Sequence, residues 1–376
     1  MSQAFNRFAT CALALAATLA AMPSQADQTL YGTLDLNLSS FRPSTPENKL
    51  PRNLPTTKGK THRVQAVDYS GMSESFIGFA GQEKIGDELS ARFVLESNFR
   101  GDTGASSSSN FWSRNAYVGL DSAYGKAKVG RLRTIYFDTL AAFSPFGESA
   151  NSPAVLMMQS NPHMIYTYQA QLAATGATTN QLNAVAEVLS SRAWNNSVAY
   201  ESPDLDGLSL AAQVGLKDGD ANGGNHAIAL RADGEELKVG FAYQSVKTGL
   251  PAVNFAVNSR WVFGASYDFG LLTAYVQGGQ DRIQQNVAGN SGSVRSNYLQ
   301  LGAKVPVGAK GEALASVGRS RNKPLDMTYV VATFGYDHHL SLRTDAYAMF
   351  MVDRAKLVGV ADDFGTSLSL GMRHRF

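Results

Sequence analysis

The chain has 376 residues, with 33 Lys and Arg against 31 Asp and Glu, 44% apolar residues, 35 glycines and one cysteine. A formal charge of +2 excludes the basic balance of a nucleic-acid-binding protein. The lone cysteine excludes a disulfide framework, and no run of 18 apolar residues follows residue 26, which excludes a transmembrane helix.

Residues 1–26 read as a secretory signal peptide: Arg7, the apolar core "CALALAATLAAM", and the small-residue site "SQA" before Asp27. The apolar run is shorter than the ~20 residues a spanning helix needs. Cys11 stands at the very start of the core and not after it, so it does not look like a lipoprotein acylation site. The mature chain, 27–376, keeps 32 Lys and Arg against 31 Asp and Glu and has no cysteine. An exported chain without disulfides must take its rigidity from elsewhere.

From there a two-residue period recurs, as expected of strands whose side chains alternate between faces. "LYGTLDLNLSS" sets Leu30, Leu34, Leu36 and Leu38 against Tyr31, Thr33, Asp35 and Asn37. "LSARFVLESNFR" sets Leu89, Ala91, Phe93 and Leu95 against Arg92, Glu96 and Asn98. "LSLAAQVG" (208–215), "RWVFGASYDF" (260–269) and "NYLQLGAKV" (297–305) repeat the pattern. The closing "SLSLGMRHRF" puts Leu368, Leu370, Met372 and Phe376 on one face, and Ser367, Ser369, Arg373 and Arg375 on the other.

The connections alternate too. Tight turns are expected at 83–88, 121–126, 202–207, 231–236, 267–270, 305–311 and 336–339, rich in Gly, Asp, Asn and Pro. Long polar loops are expected at 40–73, 100–112, 133–192, 217–225, 247–258, 282–293, 320–326 and 353–363. A soluble sandwich would show no such rhythm. The pattern predicts an all-β fold: a 16-stranded antiparallel transmembrane β-barrel filling 27–376, with strands of ~9–11 residues, short periplasmic turns and long extracellular loops. Closure satisfies every backbone group in hydrocarbon and leaves no edge to staple.

In "TLYGTLDLNL" (29–38), "GFAGQEKIGDELSARFVLESNF" (78–99), "RNAYVGLDSAYGKAKVGR" (114–131), "NNSVAYESPDLDGLSLAAQVG" (195–215), "YDHHLSLRTDAYA" (336–348) and the final "GMRHRF", the chain resembles the trimeric Gram-negative general porins of the Neisseria, Bordetella and Burkholderia type. The resemblance spans essentially the whole mature chain. It implies a cell outer-membrane location, a homotrimer among outer-membrane lipid and lipopolysaccharide, and delivery by the barrel-assembly machinery with terminal Phe376 as signal. It also implies that the third long loop, 133–192, folds into the barrel as a constriction, with "SPFGESANSP" (144–153) as its bend and a short helix within 179–194.

Porin constrictions of this kind set loop carboxylates against basic wall residues. The candidates are Asp138 and Glu148 on the loop and Arg133 at its root. On the wall they are Arg92, Lys128 and Arg131, with Lys304 and Arg373 farther round. By alternation Arg92, Lys128, Lys304 and Arg373 face water, whereas Arg131 shares parity with Val129 and reaches the pore only through a bulge or strand end. Related sequences often carry basic residues where this one has Phe76 and Ala80, which weakens the positive wall. The segment 49–63, with Lys49, Arg52, Lys58, Lys60 and Arg63, is a mobile surface loop, an electropositive funnel or a lipopolysaccharide contact.

The six histidines show no metal-ligand spacing, "GKAKVGR" lacks the phosphate-loop Gly-Lys-Ser/Thr, and no cofactor is implied. His163 and His226 belong to no legible nucleophile–base constellation, so no enzyme is expected. The reading is a passive channel for small hydrophilic solutes, with a modest anion preference. A substrate-selective porin of the same fold and an adhesin or structural barrel are the alternatives.

Overall fold

The computed structural model describes residues 27–42, 44, 64–108, 110–158, 192–216, 222–248, 255–287, 290–322, 326–357 and 363–376. The signal segment 1–26 and the basic stretch 49–63 lie outside the described residues, as do 159–191, which hold most of the expected second half of the third loop and His163.

Seventeen strand segments follow one another: β1 (Asp27–Arg42), β2 (Val64–Tyr69), β3 (Phe76–Lys84), β4 (Leu89–Asn98), β5 (Asn115–Ser122), β6 (Gly125–Arg133), β7 (Ala193–Glu201), β8 (Leu208–Gly215), β9 (Asn222–Asp233), β10 (Leu237–Thr248), β11 (Phe255–Asp268), β12 (Thr273–Val287), β13 (Asn290–Val307), β14 (Gly311–Asn322), β15 (Met327–His339), β16 (Thr344–Leu357) and β17 (Asp363–Arg375). Among the described residues, two short helices, α1 (Ile135–Ala142) and α2 (Pro153–Met158), follow β6. No helix among the described residues is long and apolar enough to cross a membrane.

Neighbouring strands pair antiparallel, and β1 closes the ring on β17 from Thr33↔Arg375 to Arg42↔Thr366. On its other side β1 pairs with β2 through Leu36–Phe41 and with β3 through Asp27–Thr33. Those two segments share one strand position, so the seventeen make a closed 16-stranded barrel. The break between them hangs on Asp35, whose carboxylate accepts the N–H groups of Gly71 (3.2 Å), Met72 (2.9 Å) and Ser73 (2.8 Å). Ser70, at φ 63°, turns the chain off the ladder. The interruption aims Glu74 into the lumen.

The wall is oily outside and polar within. Leu30, Leu34 and Leu38 are exposed on β1, whereas Thr33, Asp35 and Asn37 are buried inside. On β17, Phe364, Leu368, Leu370 and Met372 face out.

Several boundaries differ from the sequence reading. The expected turn at 336–339 is strand, and the connection is 340–343. β2 occupies part of the expected loop 40–73, and Ala193 and Trp194 begin β7; residues 179–191, where the short helix is expected, lie outside the described residues. β12 and β13 stay paired to Val287↔Asn290, well inside the expected loop 282–293, and β13 has 18 residues. The hydrophobic alternation ends where the strands leave hydrocarbon, but the backbone ladder continues because its hydrogen bonds do not depend on an oily face.

Candidate functional site: the constriction

The third loop lies inside the barrel because the inner wall is shaped and polarised to receive it. Thr134 caps α1, its Oγ1 accepting the Phe137 N–H at 3.2 Å. Tyr136, Phe137 and Leu140 of α1 and Ala154, Val155 and Met157 of α2 pack on Ala242, Val262 and Tyr298 of the wall. Tyr136 and Tyr298 hydroxyls meet at 2.9 Å. Gln277 Nε2 donates to the carbonyls of Leu140 (3.2 Å) and Phe143 (2.9 Å) at the end of α1. Phe146, in the bend, joins Met72, Leu314, Tyr347 and Met349. Inward glycines give the close approach: a Cβ on Gly302 would lie 2.7 Å from Pro145 and one on Gly318 2.6 Å from Met157.

The seated loop brings its carboxylates to the β3–β7 side of the wall. Arg133 Nη2 lies 2.8 Å from Asp138 Oδ1, and its Nη1 lies 2.7 Å from Glu148 Oε2. Arg114 spans three acids: Nη2 to Glu148 at 3.1 Å, Nη1 to Glu74 at 2.5 Å and Nε to Glu96 at 3.3 Å. Arg192 also pairs with Glu74. Aromatic rings support the guanidiniums: Arg114 stands 4.5 Å over Phe76, and Arg133 and Arg192 stand 4.8 and 4.9 Å over Phe137. Burial alone would push the Glu148 carboxyl up, but Arg114 and Arg133 outweigh it and hold it down to about 2.

Of the residues singled out in the sequence, the structure gathers Arg133, Asp138 and Glu148. Arg131 joins them through a register shift between Gly130 and Leu132. With Gly130 at φ 144°, the bulge turns Arg131 inward, where Nε donates to the Ser113 carbonyl at 2.8 Å. Lys128 lines the cavity on the turn side but pairs with Glu201 at 2.6 Å. Arg92 sits three residues from a tight turn, 2.9 Å from Asp121, and Lys304 lies 3.5 Å from Glu312. Neither belongs to the narrowing. Arg373 is also elsewhere, at the turn end of β17, 2.9 Å from Asp337 and 2.8 Å from Asp345. Strand alternation assigns a face but not a height along the barrel.

Sequence reasoning missed Glu74, Glu96, Arg114 and Arg192. Arg114 and Glu96 were within reach of the parity argument. Glu74 depends on the break between β2 and β3, which has no periodic signature.

Two other groups sit outside the narrowing. Asp337, His339 and Asp345 bring ligand atoms within 4.8 Å of one another, but the Arg373 guanidinium already bridges the two carboxylates and Arg375 pairs with Asp345. His226 faces outward on β9.

The described part of the loop, 134–158, leaves part of the bore open. On its loop side lies an open cavity of about 770 Å³, lined by Glu74, Arg114, Arg131, Arg133, Glu148 and Arg192 among others. A second, of about 360 Å³, continues past Asp138, Lys128 and Glu201. A charged, water-accessible path passing a seated loop is the geometry of a constricted channel.

Known proteins resemble the chain in sequence and in fold. The family model described as "Gram-negative porin" matches residues 9–356. Outer membrane porin protein 32 of Delftia acidovorans is 25% identical over 97% of this chain and 98% of its own length. Major outer membrane protein P.IB of Neisseria meningitidis serogroup B is 29% identical over 61% of this chain and 54% of its own. Among solved structures, the anion-selective porin from Comamonas acidovorans superposes with a TM-score of 0.73 at 22% identity, covering 94% of this chain and 100% of that one.

Proposed function

The chain belongs to the Gram-negative porin family, and from that premise we propose that this outer-membrane porin is a diffusion channel whose loop α1–α2 meters small hydrophilic solutes by size. The supporting observation is the loop's position: held against one side of the barrel, beside an open charged path instead of across it.

Ion preference is weak in this reading. At the narrowing Arg114, Arg131, Arg133 and Arg192 face Glu74, Glu96, Asp138 and Glu148 in near contact, so most of the field closes within the cluster. The five cations of 49–63, outside the described residues, add positive charge that favours anions. Residues 1–26 act as a cleaved export signal. The channel works without catalysis, and three copies assemble. An outward groove of small and apolar residues on β3–β6, including Gly81, Ala91, Phe93, Leu120 and Ala127, suits a second copy of the chain.

Planar-bilayer recording tests this. Ohmic steps that insert in threes, with a reversal potential slightly on the anion side in a salt gradient, are expected. A clear cation preference overturns the anion lean. Block by one solute at low concentration favours a substrate-selective pore, and a closed barrel favours an adhesin.

A further inference from the structure

Leu36 pairs with Tyr69 and Thr33 with Phe76, so residues 70–75 leave the ladder opposite Leu34 and Asp35 alone. Such a break strips backbone N–H groups of their strand partners, and inside a closed barrel each needs another acceptor. Asp35 on β1 supplies most of them. Its carboxylate gathers the successive N–H groups of Gly71, Met72 and Ser73, an anion-binding concavity of backbone amides. Tyr347 donates its hydroxyl to the same carboxylate. The Asp35 backbone holds the two ends of the break. Its carbonyl accepts the Ser70 N–H and the Ser75 hydroxyl, both at 3.1 Å, and its N–H donates to Ser75 Oγ at 3.0 Å.

Closure of the ring does not require this break. On its other side β1 pairs with β17 without interruption from Thr33 to Arg42. What the break delivers is charge. Glu74 stands within it, between Ser73 and Ser75, which are both bonded to Asp35. Its carboxylate pairs with Arg114 at 2.5 Å and with Arg192, and accepts from Asn98 Nδ2 at 3.2 Å. The bend of the third loop leans on the same break: Ser149 donates its hydroxyl to the Gly71 carbonyl, and Phe146 packs with Met72. Glu148, next to Ser149, is a second acid on Arg114. Asp35 itself is fully buried and lines neither cavity of the permeation path.

We propose that Asp35 is a positioning residue for ion selectivity. Its carboxylate fixes the backbone at 71–73, and through it the height and direction of the Glu74 carboxylate in the narrowing. A group out of reach of the permeating ions thereby sets how much of the Arg114 and Arg192 charge they meet. Asparagine at 35 would turn an NH2 toward converging N–H groups, and donors facing donors open the concavity. Because the role acts on permeation, it holds only if the barrel is the diffusion channel described above.

The test records the reversal potential of the purified full-length protein in planar bilayers under a potassium chloride gradient, beside its melting. Asp35→Asn, Glu74→Gln and the double variant are compared with Phe350→Ala, which weakens the barrel from its lipid face. Asp35→Asn is expected to free Glu74 from the two arginines and to raise the anion-to-cation permeability ratio about twofold, since charge at the narrowing sets selectivity. Glu74→Gln moves the ratio the same way. The double variant shifts by clearly less than the sum of the single shifts, as residues acting through one contact do. Phe350→Ala melts lower but keeps the wild-type potential. A wild-type potential in Asp35→Asn, or shifts that add in full, overturns the positioning role. A wild type without ohmic conductance removes the channel reading and the role with it, whereas a conducting wild type beside an unmoved Asp35→Asn removes the role alone. Should Asp35→Asn not fold, Ser75→Ala is read instead, because it leaves the strand pairing intact and breaks only the two Ser75–Asp35 bonds beside Glu74. A shift toward anions that shrinks in the Glu74→Gln background supports the role, and a potential equal to wild type overturns it.

Discussion

The ring of Phe143 occupies the place that a side chain on Gly264 would take: a Cβ there would lie 2.5 Å from the ring. Gly240, paired with Gly264 across β10 and β11, would meet the same ring at 2.4 Å. Two facing glycines thus form a dimple that fixes the end of α1, and Gln277 secures the carbonyls beside it. The bore therefore depends on wall shape as much as on charge.

Gly264→Val fills that dimple. Overpacking costs about 1–3 kcal/mol, and the loop is the softer partner because the barrel ladder cannot move. α1 is expected to lift from the wall while the barrel stays folded. Single-channel conductance should change by a factor of roughly 1.5–2, since bore sets flux, with heat-modifiable migration on gels unchanged. Conductance equal to wild type would show that Phe143 does not hold the loop.

Glu148→Gln removes the carboxylate shared by Arg114 and Arg133. Each arginine keeps another acid, Glu74 or Asp138, so the stability cost should be about 1–3 kcal/mol, below the ~3–5 kcal/mol of a fully orphaned buried charge. The narrowing gains one positive charge, and the reversal potential in a salt gradient should move toward anions. Arg133→Gln should move it the other way.

Much of the barrel was legible because lipid imposes a two-residue period on each wall strand, as in Leu34, Leu36 and Leu38 opposite Thr33, Asp35 and Asn37. The same period put Arg92 and Arg373 on the wet face but could not say that they lie near the turns, far from Glu148. Arg131 was legible only conditionally, and the bulge at Gly130 met the condition. The loop's seat was illegible: it rests on Gly240, Gly264, Gly302 and Gly318, which meet across strands distant in sequence. Phe76, which stands where related sequences often carry a basic residue, stacks beneath Arg114. Its role depends on a contact between strands that no local pattern records.

The acid response follows from the Glu148 carboxyl. Burial raises it, the Arg114 and Arg133 guanidiniums lower it further, and it ends at about 2 against an ordinary 4.5. A folded value below the unfolded one gives stabilisation that is complete above pH 4.5 and is lost as pH falls toward 2. The shift corresponds to about 3 kcal/mol. The difference in reversal potential between wild type and Glu148→Gln should therefore persist from pH 7 to pH 4 and vanish only near pH 2. Convergence at pH 5 would mean that the two arginines do not hold the carboxylate.

The chain's last residue closes the ring. Phe376 exchanges two backbone hydrogen bonds with Gly32, both 3.1 Å, and a Cβ on Gly32 would lie 2.4 Å from the Phe76 carbonyl and 2.7 Å from the Phe376 ring. Gly32→Leu would collide with both, and the backbone carbonyl cannot yield. Phe376→Ala leaves the backbone seam intact and removes only the ring. If the ring serves assembly, Phe376→Ala should slow appearance of the heat-modifiable folded form in membranes several-fold, yet leave the melting of the folded form within about 1 kcal/mol of wild type, as expected where the removed side chain is 42% exposed. Gly32→Leu should lower both yield and melting. Equal effects of the two substitutions on melting would place Phe376 in the stability of the seam instead of in delivery.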